Sequence, residues 1–193
     1  MGGEMGRLVR EMDWSASPLG AIERWPQSLL TSVSLCLDCA FPILIWWGPE
    51  LVMIYNDEYR SVLGSEKHPA ALGAAGRAVF PELWDVIGPM LTQVVETGQA
   101  TRSRDLLLLM NRDGFEEETY FSFSYSPIRD ESGGVGGVFT PVLETTGKVV
   151  GERRLRTLRE LAALGGADSV GRAAADAASV LAQADKEIGR AHV

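Results

Sequence analysis

Hydrophobic residues recur at two different periods along this chain, and the changes of period mark its elements. After Trp25-Pro26, the residues Leu29, Leu30, Val33, Cys36 and Leu37 repeat at three- and four-residue spacing, which puts them on one face of a helix. The same spacing returns over 82–97 in Leu83, Trp84, Ile87, Leu91, Val94 and Val95. There Gly98 supplies the stop, and Gly88-Pro89 predicts a bend or a break. Between these helices, 41–47 and 51–55 are short β-rich runs. Gly48-Pro49-Glu50 separates them with turn chemistry, so the two read as a hairpin. Residues 56–80 are interrupted by Gly64, Pro69, Gly73 and Gly76 and leave room only for short helical pieces.

Downstream the period becomes two. Strands are predicted over 102–110, 119–128 and 135–143, the first pair joined through Asn111-Arg112-Asp113-Gly114 and the second through Asp130-Glu131-Ser132-Gly133-Gly134. In the middle strand Thr119, Phe121, Phe123 and Tyr125 share one face, and Tyr120, Ser122, Ser124 and Ser126 share the other. One face aromatic and one mostly hydroxylic is the signature of a half-buried antiparallel strand. At the N-terminus, 1–12 reads as frayed or loosely helical, and Ser17-Pro18 as a helix start with Ser17 as N-cap. The order of elements predicts an α+β fold: a five-stranded antiparallel sheet with helices mainly on one face, a helical flank before it and a helix leading out of it. Four segments follow: a helical flank over 1–40, a core over 41–146, an exit helix over 147–164 and an Ala-rich helix over 165–193.

Charge and hydropathy narrow the partners. Eighteen Lys and Arg against 26 Asp and Glu give a net charge of −8 with no long basic run, which argues against nucleic acid or anionic lipid. No apolar run approaches the roughly 20 residues that span a bilayer. The longest, 40–47, has eight residues and contains Pro42. The N-terminus has no secretion signal, and two cysteines make no disulfide framework, so the cytoplasm is the expected compartment.

With these elements in order, the chain resembles the PAS family. Tyr55-Asn56-Asp57-Glu58-Tyr59 is similar to that family's passage from second strand to first short helix. Phe123-Ser124-Tyr125-Ser126-Pro127-Ile128-Arg129-Asp130 resembles its long strand, which ends in Ser-Pro-Ile/Leu-Arg-Asp. Glu144-Thr145-Thr146 stands where the family has an Asp-Ile-Thr-like triplet before its signalling helix. More narrowly, 13–20, 25–29, 67–73 and 151–161 resemble a bacterial subgroup in which a PAS domain precedes a GAF domain and a histidine kinase or related output. The resemblance covers about 13–164, and 168–188 is similar to the first helix of such a GAF domain. It implies a sensory input module in two-component-type signalling, without catalytic machinery of its own. Its conformational change would pass through Glu144, Thr145 and Thr146 to a dimeric output.

Each candidate site has a plain structural counterpart. Trp46, Tyr59, Trp84, Ile87, Phe121, Phe123 and Tyr125 form either the lining of a pocket for a small apolar or aromatic ligand or a filled core. Leu155, Leu158 and Ala162 form either the seam of a parallel homodimer or a face packed on the chain's own sheet. No cofactor is named. The light-sensing flavin-binding members carry a reactive Cys after the short helices, yet 56–80 contains none. The haem-binding members often take an axial His from the longer helix, yet 82–97 contains none. His68 lacks partner ligands for a metal, and Cys36 and Cys39 lack a second Cys/His pair, so a redox pair or a small buried hydrophobe remains for the cysteines. Asp113, Glu116, Glu117 and Glu118 read as a solvated turn, against a weaker enzymatic reading as acid–base carboxylates. Ligand sensing leads, with a ligand-free module for dimerisation and spacing as the alternative.

Overall fold

A computed structural model describes residues 2–164 and 178–179. The expected Ala-rich GAF-like segment lies, apart from 178–179, outside the described residues. The chain divides into two compact units, Met1–Glu144 and Thr145–Val193.

The first unit is built on a five-stranded sheet of order β2-β1-β5-β4-β3, with β1 Ile43–Trp47, β2 Val52–Tyr55, β3 Thr101–Asn111, β4 Glu116–Arg129 and β5 Val135–Glu144. Every pairing is antiparallel. The first two strands form the expected hairpin, with Ile45 opposite Ile54 and Trp46 opposite Met53. Helices α3 (Arg60–Lys67), α4 (Gly76–Val79) and α5 (Trp84–Thr97) connect β2 to β3. The last of these is one undivided helix despite Pro89, and Gly98 closes it in the left-handed conformation (φ 64) that glycine adopts without strain.

The aromatic face of β4 points into the core as its alternation requires. Thr119, Phe121, Phe123 and Tyr125 are all buried, while the residues between them are half-buried. The hydroxyl face serves the backbone of its neighbour. Register slips between Ser103 and Leu106 of β3, where Asp105 sits at φ 47. Ser122 Oγ accepts the Asp105 N–H at 3.0 Å, and Ser124 Oγ donates to the Thr101 carbonyl at 3.0 Å. These bonds supply at the irregularity what the ladder leaves unmade.

The N-terminal flank departs from its expected looseness. Gly3–Glu11 is a helix, α1, with Met5 and Val9 buried. Its first turn is held by Asp57, whose Oδ1 accepts the Met5 N–H at 3.0 Å, and by a Glu4–Arg60 ion pair at 2.6 Å. Ser17 does not start a helix. Asp13 caps a short 3-10 turn (Trp14–Ala16), and Ser17 Oγ instead accepts the Leu19 N–H in a turn closed by the Gly20 N–H on the Ser17 carbonyl. A side-chain oxygen can close a local turn as readily as it can cap a helix, so the Ser-Pro pair marks a turn here.

Helix α2 (Gln27–Leu37) packs against β1 and β2. Ile43, Ile45, Trp47 and Ile54 alternate with the core-facing residues and are nonetheless buried, because α2 covers that side; its Cys36 thiol reaches the Ile43 carbonyl at 3.6 Å. No side chain of its own caps α2. Glu131, from the β4–β5 turn, accepts Ser28 N–H at 2.8 Å and Ser28 Oγ–H at 3.0 Å in its place. The second unit begins with helix α6, Thr146–Leu164, on which Leu155, Leu158 and Ala162 are exposed.

Candidate ligand cavity and output end

Between the sheet and α3–α5 lies a cavity of about 40 Å³. Its sheet wall comes from Trp46 of β1, Leu108 and Met110 of β3, Phe121, Phe123 and Tyr125 of β4, and Thr140 and Val142 of β5. Its helical wall comes from Tyr59, Val62, Phe80, Leu83 and Ile87. Six of the seven expected pocket residues therefore meet at one space. Trp84 does not. Its ring packs edge-on against Trp46, with centroids 6.4 Å apart, and faces a surface groove with Arg77, Gly88 and Gln93. At the start of α5 it lies one turn before Ile87, on a half-buried flank of the apolar stripe.

Seven lining residues escape the sequence reading, for reasons that can be named. Leu106-Leu107-Leu108-Leu109-Met110 is a continuous apolar run, so alternation alone does not say which of its residues face inward. Phe80 stands in the interrupted segment 56–80. Thr140 is polar and carries no hydrophobic signal, yet it is buried and accepts the Trp46 Nε1–H at 3.1 Å.

The cavity is fixed at its edges. Asn56, fully buried, accepts the Ile43 and Tyr59 N–H groups through Oδ1 at 3.0 and 3.1 Å. Through Nδ2 it donates to the Cys39 and Phe41 carbonyls at 2.9 and 2.7 Å. All four of its hydrogen-bonding valences are satisfied. Lys67 pairs with Glu82 and lies over the Phe80 ring, 4.5 Å from its centroid. His68 Nδ1 meets Tyr55 Oη at 3.0 Å, and burial and the Arg60 charge hold its pKa below the usual histidine value. Burial pushes the Tyr59 and Tyr125 hydroxyls well above the ordinary phenol range, the neighbouring phenol of Tyr125 adding to the shift of Tyr59.

The other sequence candidates are separated from this space. Burial pushes the Cys36 thiol up, with Cys39 adding to the shift, which disfavours the reactive thiolate. The described residues hold no group of three or more metal-binding side chains. Three of the four turn carboxylates are held by structural partners. Asp113 accepts Ser65 N–H at 3.2 Å, Glu118 accepts Tyr120 Oη–H at 2.8 Å, and Glu117 pairs with Arg112 at 3.1 Å.

Arg112 is the residue that turn chemistry concealed. Its guanidinium forks onto Glu144 at 2.9 and 3.2 Å and donates to the Ser61 carbonyl at 3.4 Å. Its own carbonyl crowds α3, where any side chain at Gly64 would meet it at 2.3 Å. Three parts of the fold therefore converge on one cation: α3, the β3–β4 turn and the last residue of β5. The bonds to Glu144 raise the Arg112 pKa most, against the cost of burial, so the guanidinium keeps its charge.

A family model described as the PAS fold matches residues 41–150, more than half of the chain. The chain belongs to the PAS-fold family. Among solved structures, this PAS fold overlays an RNA-binding light-oxygen-voltage receptor at TM-score 0.50 and 20% identity, over 73% of this chain and 40% of that one. It overlays the Rhodobacter sphaeroides LOV protein at TM-score 0.50 and 10% identity, over 85% of this chain and 96% of that one. No curated protein matches the chain. At these identities the likeness is one of fold alone. Among the described residues of this PAS chain, no helix is long and apolar enough to cross a membrane.

Proposed function

We propose that this PAS domain is the sensory input of a cytoplasmic two-component-type protein. A small molecule held between sheet and helices biases the arrangement of the chain leaving β5. The observation that carries this reading is the cavity itself, apolar and walled by both layers of the fold, with Val62 of α3 beside the Ser61 carbonyl that Arg112 links to Glu144. A ligand that moves α3 would act on Arg112, and through it on the residue that opens the Glu144-Thr145-Thr146 joint. The lever would be α6, and the recipient a dimeric GAF or kinase domain in a longer protein. With no Cys in 56–80 and no His in 82–97, neither flavin nor haem is proposed as the ligand.

The test has two parts. Denaturing the purified protein and analysing the supernatant by mass spectrometry should release a stoichiometric small molecule. A metabolite screen should contain a compound that raises the melting temperature of the wild type but not of Val142→Phe, whose larger side chain fills the cavity. If every compound that shifts the wild type shifts the filled variant equally, the cavity is not the binding site.

The second reading, a ligand-free module for dimerisation and spacing, is favoured by the exposed leucines of α6, Leu155 at 54% and Leu158 at 61%. Sedimentation of the chain and of Leu155→Glu/Leu158→Glu separates the two. A dimer lost in the variant, together with an empty ligand screen, supports spacing.

A further inference from the structure

The cavity carries more information than its size, because its polar groups are unevenly used. Of its three hydroxyl-bearing residues, Thr140 already accepts the Trp46 indole N–H. Tyr59 and Tyr125 are 5% and 3% exposed, and neither hydroxyl hydrogen-bonds to any of the described residues. A buried phenol normally finds a partner, since an unmade hydrogen bond in an apolar setting is costly. Among the described residues no charged side chain lines the space; Lys67, which lies over the outside of the lining Phe80 ring, is paired with Glu82. An ion entering it would lose its hydration with no countercharge in return. Volume sets a further limit. A buried water takes about 10–15 Å³ of such space, so about 40 Å³ holds on the order of three waters and limits a ligand to a few non-hydrogen atoms.

We infer that the cavity selects a compact, neutral hydrogen-bond acceptor, such as a small carbonyl compound, with the Tyr59 and Tyr125 hydroxyls as its donors. This rests on the ligand-binding reading above and assigns the chemical class. The depth of both rings holds their pKa values above the ordinary phenol range, so at neutral pH both hydroxyls are protonated and able to donate.

Matched probes test it on the full chain. Acetone and 2-methylpropene have the same shape, but only acetone accepts a hydrogen bond; acetate adds a charge. Binding is read from methyl resonances of the lining residues Val62, Ile87, Leu108 and Val142, in the wild type and in Tyr59→Phe/Tyr125→Phe. These substitutions keep the rings and remove only the hydroxyls, and the same spectra report whether the fold persists. Tyr125→Phe alone is measured in parallel should the double variant lose dispersion. The expected result is that the ratio of acetone affinity to 2-methylpropene affinity falls about tenfold in the double variant, and severalfold in the single one, while acetate leaves the cavity methyls unmoved. An unchanged ratio with both neutral probes inside the cavity overturns the donor assignment and leaves the ligand-binding reading standing. Acetate entering as readily as acetone overturns the neutral class. If no probe moves a cavity methyl at saturation, both proposals fall together.

Discussion

Asn56 is where one side chain decides the most backbone. From a fully buried position it orders the approach to β1, the end of β2 and the turn into α3. Asn56→Ala strands the buried Ile43 N–H and leaves the part-buried Cys39 and Phe41 carbonyls without their donor, while the Tyr59 N–H keeps only the main-chain carbonyl of residue 56 at 3.2 Å. The expected loss is about 2–4 kcal/mol, read as a lower urea midpoint with little change in slope. Glu131 shows the opposite case, an exposed side chain with a long-range task. Its bonds to Ser28 hold its carboxyl below the ordinary 4.5. A depressed carboxylate contributes stability that is present above the unfolded pKa and lost as pH falls through the folded one. Glu131→Gln therefore lowers the melting temperature at neutral pH and flattens the fall in stability below about pH 4.5. Melting curves between pH 3 and 7 check both features.

At the scale of elements, the two claims concern α1 and the Arg112 junction. Met5 is fully buried on α1, and the Trp14 indole N–H is held by the Val9 carbonyl at 2.7 Å, so this helix is part of the core. Met5→Ala costs about 2–4 kcal/mol through the space it leaves, and loosens the helix whose Val9 carbonyl holds Trp14. Denaturation followed by tryptophan fluorescence reads it. The sequence of 1–12 conceals this role, because Gly2, Gly3 and Gly6 speak locally against a helix and Asp57, which anchors it, lies far along the chain. The β4 face and the β1–β2 hairpin were legible because alternation and turn chemistry are local signals. Arg112 was not, since its partners Ser61 and Glu144 come from other elements. A double-mutant cycle on Arg112→Gln and Glu144→Gln should give a coupling of about 1–2 kcal/mol, as expected for a bidentate, half-buried pair. A coupling near zero would leave the junction without energetic content.

Across the whole molecule, the fold is two layers around an apolar space, with N-terminal helices bracing the β1–β2 side and a chain exit tied by one arginine. The sheet and the helices between β2 and β3 are legible in the sequence because strand alternation and helical spacing are local signals. Six of the seven candidate pocket residues line the cavity and Trp84 stands outside it, since helical spacing gives a face but not the edge of a cavity on that face. The proposed function asks whether events in the cavity reach α6. Hydrogen exchange by mass spectrometry, comparing the free chain with the chain saturated by the tightest compound from the melting screen, reads that link directly. The account predicts changed protection in two places: peptides from α3 and β4 around the cavity, and peptides from 146–164, with the second change lost in Arg112→Gln while binding persists. Protection that changes around the cavity and stays the same throughout 146–164 would contradict it.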